Sequence, residues 1–96
     1  MLNLKISGSL QLNHNLKLIE DCAHSIGTIY NKKHVGNFGE TGCFSFYPTK
    51  QITTGEGGMV ITNNKKLARK IYHLSTQAKK NSKQEHFYDE VGFNYR

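Results

Sequence analysis

Apolar positions along this chain fall mostly into short runs broken by glycine and asparagine, and only once into the period of a helix. Leu16-Lys17-Leu18-Ile19 is a mostly apolar run that stops at Glu20-Asp21. That is how a buried strand behaves when its carboxyl end reaches a cleft, so Asp21 is expected at a strand end. Thr28-Ile29-Tyr30 and His34-Val35, separated by Asn31-Lys32-Lys33, predict a small hairpin or extended excursion closed by Gly36 and Gly39. Cys43-Phe44-Ser45-Phe46 predicts the next strand, punctuated by Pro48, and Met59-Val60-Ile61-Thr62 the one after it. Asn63 or Asn64 is expected to cap a helix whose Leu67, Ile71, Leu74 and Ala78 share one face, with lysines and Arg69 turned outward and the apolar face against a sheet. Residues 1 to 14 show no sustained period and read as an irregular lead-in. Glu85 to Arg96 is aromatic and polar and stops without a cap or a turn, so the chain reads as truncated at both ends.

Composition narrows the classes. Ninety-six residues make at most one domain. Apolar content of 36% lies below the roughly 45% of globular domains and predicts marginal stability. The net charge of +6 is concentrated between Lys65 and Lys83, where Tyr72 is the single Phe, Tyr or Trp, and not in a patch mixed with aromatics, which fits a solvated helix face. A basic anion-binding or nucleic-acid-binding module is the alternative that charge alone supports. Cys22 and Cys43 sit among apolar residues, and the chain carries neither a signal peptide nor the roughly 18 apolar residues that span a membrane. A reducing, cytoplasmic location is the expectation. Cys22, His24, His34 and Cys43 lack the paired spacing of a zinc site, so no metal is expected.

The chemistry centres on Lys50. It lies between the two strands, with few charged neighbours and with hydroxyls on either side, in Ser45-Phe46-Tyr47-Pro48-Thr49-Lys50-Gln51-Ile52-Thr53-Thr54-Gly55-Glu56-Gly57-Gly58. A lysine whose ammonium is destabilised condenses with carbonyls to form Schiff bases. An aspartate at a nearby strand end can hold a protonated pyridine nitrogen, which makes Asp21 and Lys50 a coherent pair for pyridoxal phosphate. Ser45 and Thr53-Thr54-Gly55 offer hydroxyl and backbone donors to a phosphate, without matching the nucleotide-hydrolase loop. On spacing alone, an ordinary surface lysine is the simpler account of Lys50.

Four ordered blocks shift that balance: Ile19-Glu20-Asp21-Cys22-Ala23-His24-Ser25-Ile26-Gly27, Val35-Gly36-Asn37-Phe38-Gly39, Phe44 to Lys50 with Thr53 to Gly58, and Glu90-Val91-Gly92-Phe93-Asn94-Tyr95-Arg96. Together they resemble the DegT/StrS family of sugar aminotransferases, from about Asn15 to Arg96. The resemblance implies an α/β fold, part of the fold-type-I large domain with a mainly parallel sheet and flanking helices. It implies pyridoxal phosphate as cofactor, Lys50 as the lysine that forms the internal aldimine and moves the proton, and Asp21 as the acid paired with the pyridine nitrogen. It further places Ser45 on the phosphate, His24 against the ring or its phenolic oxygen, and Asn94 at the phosphate of the neighbouring subunit of a homodimer.

The implied reaction takes an amino group, usually from glutamate, and passes it to a keto group of a nucleotide-linked deoxysugar. Relatives that dehydrate sugars or act as regulators commonly replace the lysine, so Lys50 favours the aminotransferase. Plainer roles exist for each residue: Asp21 capping its own turn, Ser45 bonding within the sheet, His24 packing on it, Asn94 forming a turn, and Glu56 shaping the loop before Gly57 and Gly58. The earlier phosphate-binding loop and the small domain are not in these residues, so the isolated chain is expected to have lost most activity, and an inactive remnant of a disrupted gene is a further alternative.

Overall fold

The computed structural model describes residues 13–78 and 90–95. The lead-in over residues 1–12, the lysines from Lys79 to Lys83 and the stretch from Glu85 to Asp89 lie outside them. The chain divides into two units, Met1–Asn63 and Asn64–Arg96.

In the first unit, β1 (Ile19–Asp21) pairs in parallel with β4 (Thr41–Ser45), and β4 pairs antiparallel with β5 (Gly58–Ile61), giving a mixed sheet of order β1-β4-β5. The expected hairpin forms from β2 (Ile29–Tyr30) and β3 (Lys33–His34), one residue earlier on its return than the apolar pattern suggests. Its turn residues Asn31 and Lys32 both have positive φ, 47° and 62°, which is the turn whose twist matches a hairpin.

The apolar run before Glu20 is not the buried strand it resembles. The strand starts at Ile19, which is 67% exposed, and Glu20 takes the inward position. The physical reason lies in the segment after the hairpin, whose backbone N–H groups need acceptors. Glu20 Oε2 accepts from Gly36 N–H at 2.8 Å, and Oε1 accepts from Phe38 at 2.6 Å and Gly39 at 2.7 Å. Successive strand residues face opposite ways, and the register sets Glu20 beside Gly42, with Phe44 next along the same face. That face is covered by close backbone contact. Gly36 has φ +90°, and a Cβ there would meet the buried Phe44 ring at 2.9 Å; a Cβ on Gly42 would collide with the Gly36 α-carbon.

The second unit holds α1 (Lys65–Ser75). Of the two candidate caps it is Asn64 whose side chain accepts from Lys66 and Leu67 N–H, at 3.1 and 3.2 Å. Lys65, Lys66, Arg69 and Lys70 are exposed, as a solvated face requires, and Lys70 pairs with Glu90. The helix stops before Ala78. The Thr76 hydroxyl bonds back to Tyr72 O at 3.0 Å, Gln77 and Ala78 take positive φ, and Ala78 N–H returns to His73 O at 2.9 Å. Ala78 is therefore buried by a reversal of the chain and not as the next turn of an apolar face. Among the described residues no helix is long and apolar enough to cross a membrane.

Replacing Glu20 tests its role. Glu20→Gln keeps the length but turns an amide toward the same donors, and each buried donor left unpaired costs about 1–3 kcal/mol. The expected loss is about 2–4 kcal/mol, a large share of the roughly 5–15 kcal/mol that holds a domain folded. It is read from the midpoint of urea unfolding, and an unchanged midpoint at constant slope would refute the assignment.

Candidate active site

Because β1 and β4 are parallel, their carboxyl ends lie side by side. Asp21, the last residue of β1, neighbours Cys43, and Ser45, the last of β4, shares their face two residues on. This is the face opposite Glu20, at the edge where open α/β sheets bind ligands.

Asp21 Oδ1 accepts from Ala23 N–H at 3.0 Å, starting a turn that Ser25 N–H closes onto Cys22 O at 3.0 Å. The plainer role, capping its own turn, is thus filled by one oxygen, and Oδ2 has no hydrogen-bond partner among the described residues. The turn brings His24 to the exposed edge. It is tied to the hairpin by His34, whose Nδ1 donates to Val35 O at 2.8 Å while Nε2 accepts from Gly27 N–H at 3.2 Å. A carbonyl can only accept, so His34 stands as the neutral tautomer with its hydrogen on Nδ1.

Lys50 is carried by the loop from Phe46 to Gly57. The loop is fastened at its base, where Phe46 N–H donates to Gly57 O at 2.9 Å and Phe46 O accepts from Thr54 N–H at 3.0 Å and from Thr53 Oγ1 at 2.9 Å. Thr54 Oγ1 donates to Glu56 O at 2.7 Å. The Thr53 and Thr54 hydroxyl hydrogens are therefore used to build the loop, while Ser45, at the edge, has no acceptor for its hydroxyl hydrogen among the described residues. Its Oγ accepts from Tyr47 N–H at 3.4 Å, a long bond. Lys50 N–H bonds to Tyr47 O at 3.0 Å, and the half-buried side chain ends with Nζ 2.8 Å from His24 Nε2. With Lys50 as an ammonium, which only donates, the imidazole accepts at Nε2 and carries its hydrogen on Nδ1.

Asp21, His24, Ser45 and Lys50 thus all lie in the first unit, and His24 and Lys50 touch. Asn94 lies in the second unit. There it bridges to Thr76, in a segment whose Phe93 and Tyr95 N–H groups bond to Leu74 O and Ser75 O. Glu20 and Gln51 were not singled out by the sequence pattern. Gln51 Nε2 donates to His24 O at 2.7 Å. For Glu20 the signal was a carboxylate directly at the end of an apolar run, with glycines further on at 36 and 39.

The amine, imidazole, carboxylate and hydroxyl on one sheet edge are the donor set that an aldehyde-bearing pyridine phosphate requires, and in this respect the residues present fit that cofactor. The profile of the DegT/DnrJ/EryC1/StrS aminotransferase family matches residues 3–96, and so takes in residues 3–14 as well as the motif-bearing part. The chain is 46% identical over 87 residues to a GDP-perosamine synthase of Escherichia coli O157:H7, covering 91% of this chain and 24% of that protein. It is 40% identical over 92 residues to a UDP-4-amino-4,6-dideoxy-N-acetyl-beta-L-altrosamine transaminase of Campylobacter jejuni, covering 92% and 24%. Among solved structures, Helicobacter pylori PseC, an aminotransferase involved in the biosynthesis of pseudoaminic acid, superposes with a TM-score of 0.86 at 32% identity, over 100% of this chain and 26% of that one. The α/β fold and its place as part of a fold-type-I domain follow from that likeness. The chain spans about a quarter of the length of the curated relatives it matches.

Cys22, beside Asp21, is buried and not presented at the edge. It is 3% exposed, and burial, then the charges of Glu20 and Asp21 and the neighbouring Cys43, push its thiol above the ordinary value. Iodoacetamide at neutral pH is expected to modify the half-buried Cys43 well before Cys22, with the difference abolished in denaturant. Equal native rates, read by mass spectrometry, would contradict the buried thiol.

Proposed function

The chain belongs to the DegT/DnrJ/EryC1/StrS aminotransferase family, and on that premise we propose that it carries the reactive lysine of a pyridoxal-phosphate-dependent aminotransferase acting on a keto group of a nucleotide-linked sugar. One observation supports this above the others. Lys50 Nζ, on the loop between β4 and β5, meets His24 Nε2 at 2.8 Å on the edge that also carries Asp21 and Ser45. Bound pyridoxal phosphate supplies the electron sink for moving an amino group. Lys50 Nζ then serves as the amine that binds it and as the group that takes up and returns a proton. His24 Nε2, within hydrogen-bonding reach, is placed to hold the proton that frees the amine. Asp21 would balance positive charge on the ring nitrogen, and Ser45 would donate its hydroxyl hydrogen to the phosphate.

The amino donor in this reading is glutamate, the location cytoplasmic, and the assembly a homodimer in which Asn94 reaches the cofactor phosphate of the neighbouring subunit. Apolar side chains stand uncovered around that asparagine: Val91 is 87% exposed, Phe93 63% and Tyr95 68%. Two free cysteines accord with a reducing compartment.

The 96-residue chain mixed with pyridoxal phosphate is expected to develop a visible absorbance band. Borohydride should then fix the pyridoxyl group on the peptide containing Lys50, and Lys50→Ala should lose both signals. Labelling spread over the exposed lysines and unchanged in Lys50→Ala would overturn the proposal.

A further inference from the structure

Two consecutive residues of the Phe46 to Gly57 loop reach the same partner. Lys50 Nζ contacts the His24 imidazole at 2.8 Å, and Gln51 Nε2 donates to the His24 carbonyl at 2.7 Å. The backbone and threonine bonds of the loop are internal or lie at its base. Lys50 N–H bonds to Tyr47 O within the turn, and Phe46 gathers Gly57, Thr53 and Thr54. Hydrogen bonding between the loop tip and the turn after β1 runs, among the described residues, through His24. The two bonds are not equivalent. A lysine cannot hold the loop with the same nitrogen that reacts, because forming a new bond to Nζ removes the contact with His24. The Gln51 bond uses no reacting atom and persists throughout.

We propose that Gln51 is the positioning residue for Lys50: by clasping the main chain of His24 it keeps the loop tip, and with it the amine, in register with the imidazole and the Asp21 edge. This deepens, and rests on, the reading of Lys50 as the cofactor-binding amine. Gln51 touches neither cofactor nor reacting atoms and acts through the placement of Lys50. Its removal should lower the rate of adduct formation without weakening initial capture of the cofactor.

Gln51→Met preserves length and removes the donor. Against the wild-type chain, the rate at which pyridoxal phosphate modifies Lys50, trapped with borohydride and mapped by mass spectrometry, is measured over a range of cofactor concentrations. Hydrogen exchange at the Lys50 amide is measured without cofactor. A misplacement of 1 Å can cost about a hundredfold in rate. The expected result is a limiting rate down about tenfold at an unchanged half-saturating concentration, and faster exchange at Lys50 N–H. The melting temperature should stay within about 3 °C, the scale of a surface substitution. An unchanged limiting rate with unchanged exchange overturns the clasp and leaves the reading of Lys50 intact. A lower melting temperature with an unchanged rate per folded molecule assigns Gln51 a purely structural role and overturns it as well. Absence of any selective Lys50 adduct in the wild type defeats the functional reading instead. The exchange comparison then decides the clasp by itself, with equal exchange counting against it.

Discussion

A single buried carboxylate decides which way the candidate site of this chain faces. The segment from Gly36 to Gly39 has no strand partner for its N–H groups, and Glu20 supplies acceptors for three of them. Those bonds fix Glu20 on one face of β1. Strand geometry then gives its neighbour no choice, since adjacent side chains point to opposite faces. Asp21 must stand on the other face, in line with Cys43 and Ser45. The adjacency of the two acids divides the work: the first anchors a loop beneath the sheet, the second is presented above it. A one-residue slip in register would exchange them and disable both.

Rigidity is distributed unevenly around the edge. The loop carrying Lys50 is closed at Phe46 by backbone and threonine bonds, so its base is fixed by short-range chemistry. Its tip depends on a longer reach to His24, whose own turn is tied to the hairpin through the neutral His34. The position of the amine is thus the product of a chain of hydrogen bonds running from β3 through the turn after β1 to the loop. None of the bonds to His34, Gln51 and Phe46 uses Nζ, so the geometry of the loop does not depend on that atom.

How much of this could be read beforehand depended on whether the cause was local. The strand at Thr41–Ser45, the hairpin and the helix start at Asn64 all follow from patterns or caps contained within a few residues. The four motif blocks gave Asp21, His24, Ser45 and Lys50, and the fold places these on one unit. What escaped was decided by partners distant in sequence. Glu20 is buried because of donors 16 to 19 residues away. Gln51 matters because of a carbonyl 27 residues back, and a glutamine after a lysine carries no mark of that. Ala78 continued a helical period on paper, but the Thr76 hydroxyl competed for the last carbonyls and the chain turned back.

The apolar side chains explain why polar anchors carry so much here. Among the described residues of the first unit the buried hydrophobic ones are Cys22 and Phe44, while Ile19, Ile29, Met59 and Val60 remain open to solvent. Packing specifies a side-chain position only where a side chain is surrounded, and at this edge it is not. Hydrogen bonds must therefore supply the geometry, although each contributes only about 0.5–1.5 kcal/mol net. They do so because they are directional and linked: Glu20 sets the face, His34 sets the turn, and Phe46 sets the loop. The amine meets the imidazole only when all three hold, so Lys50 is positioned by the agreement of several weak constraints and not by one strong contact.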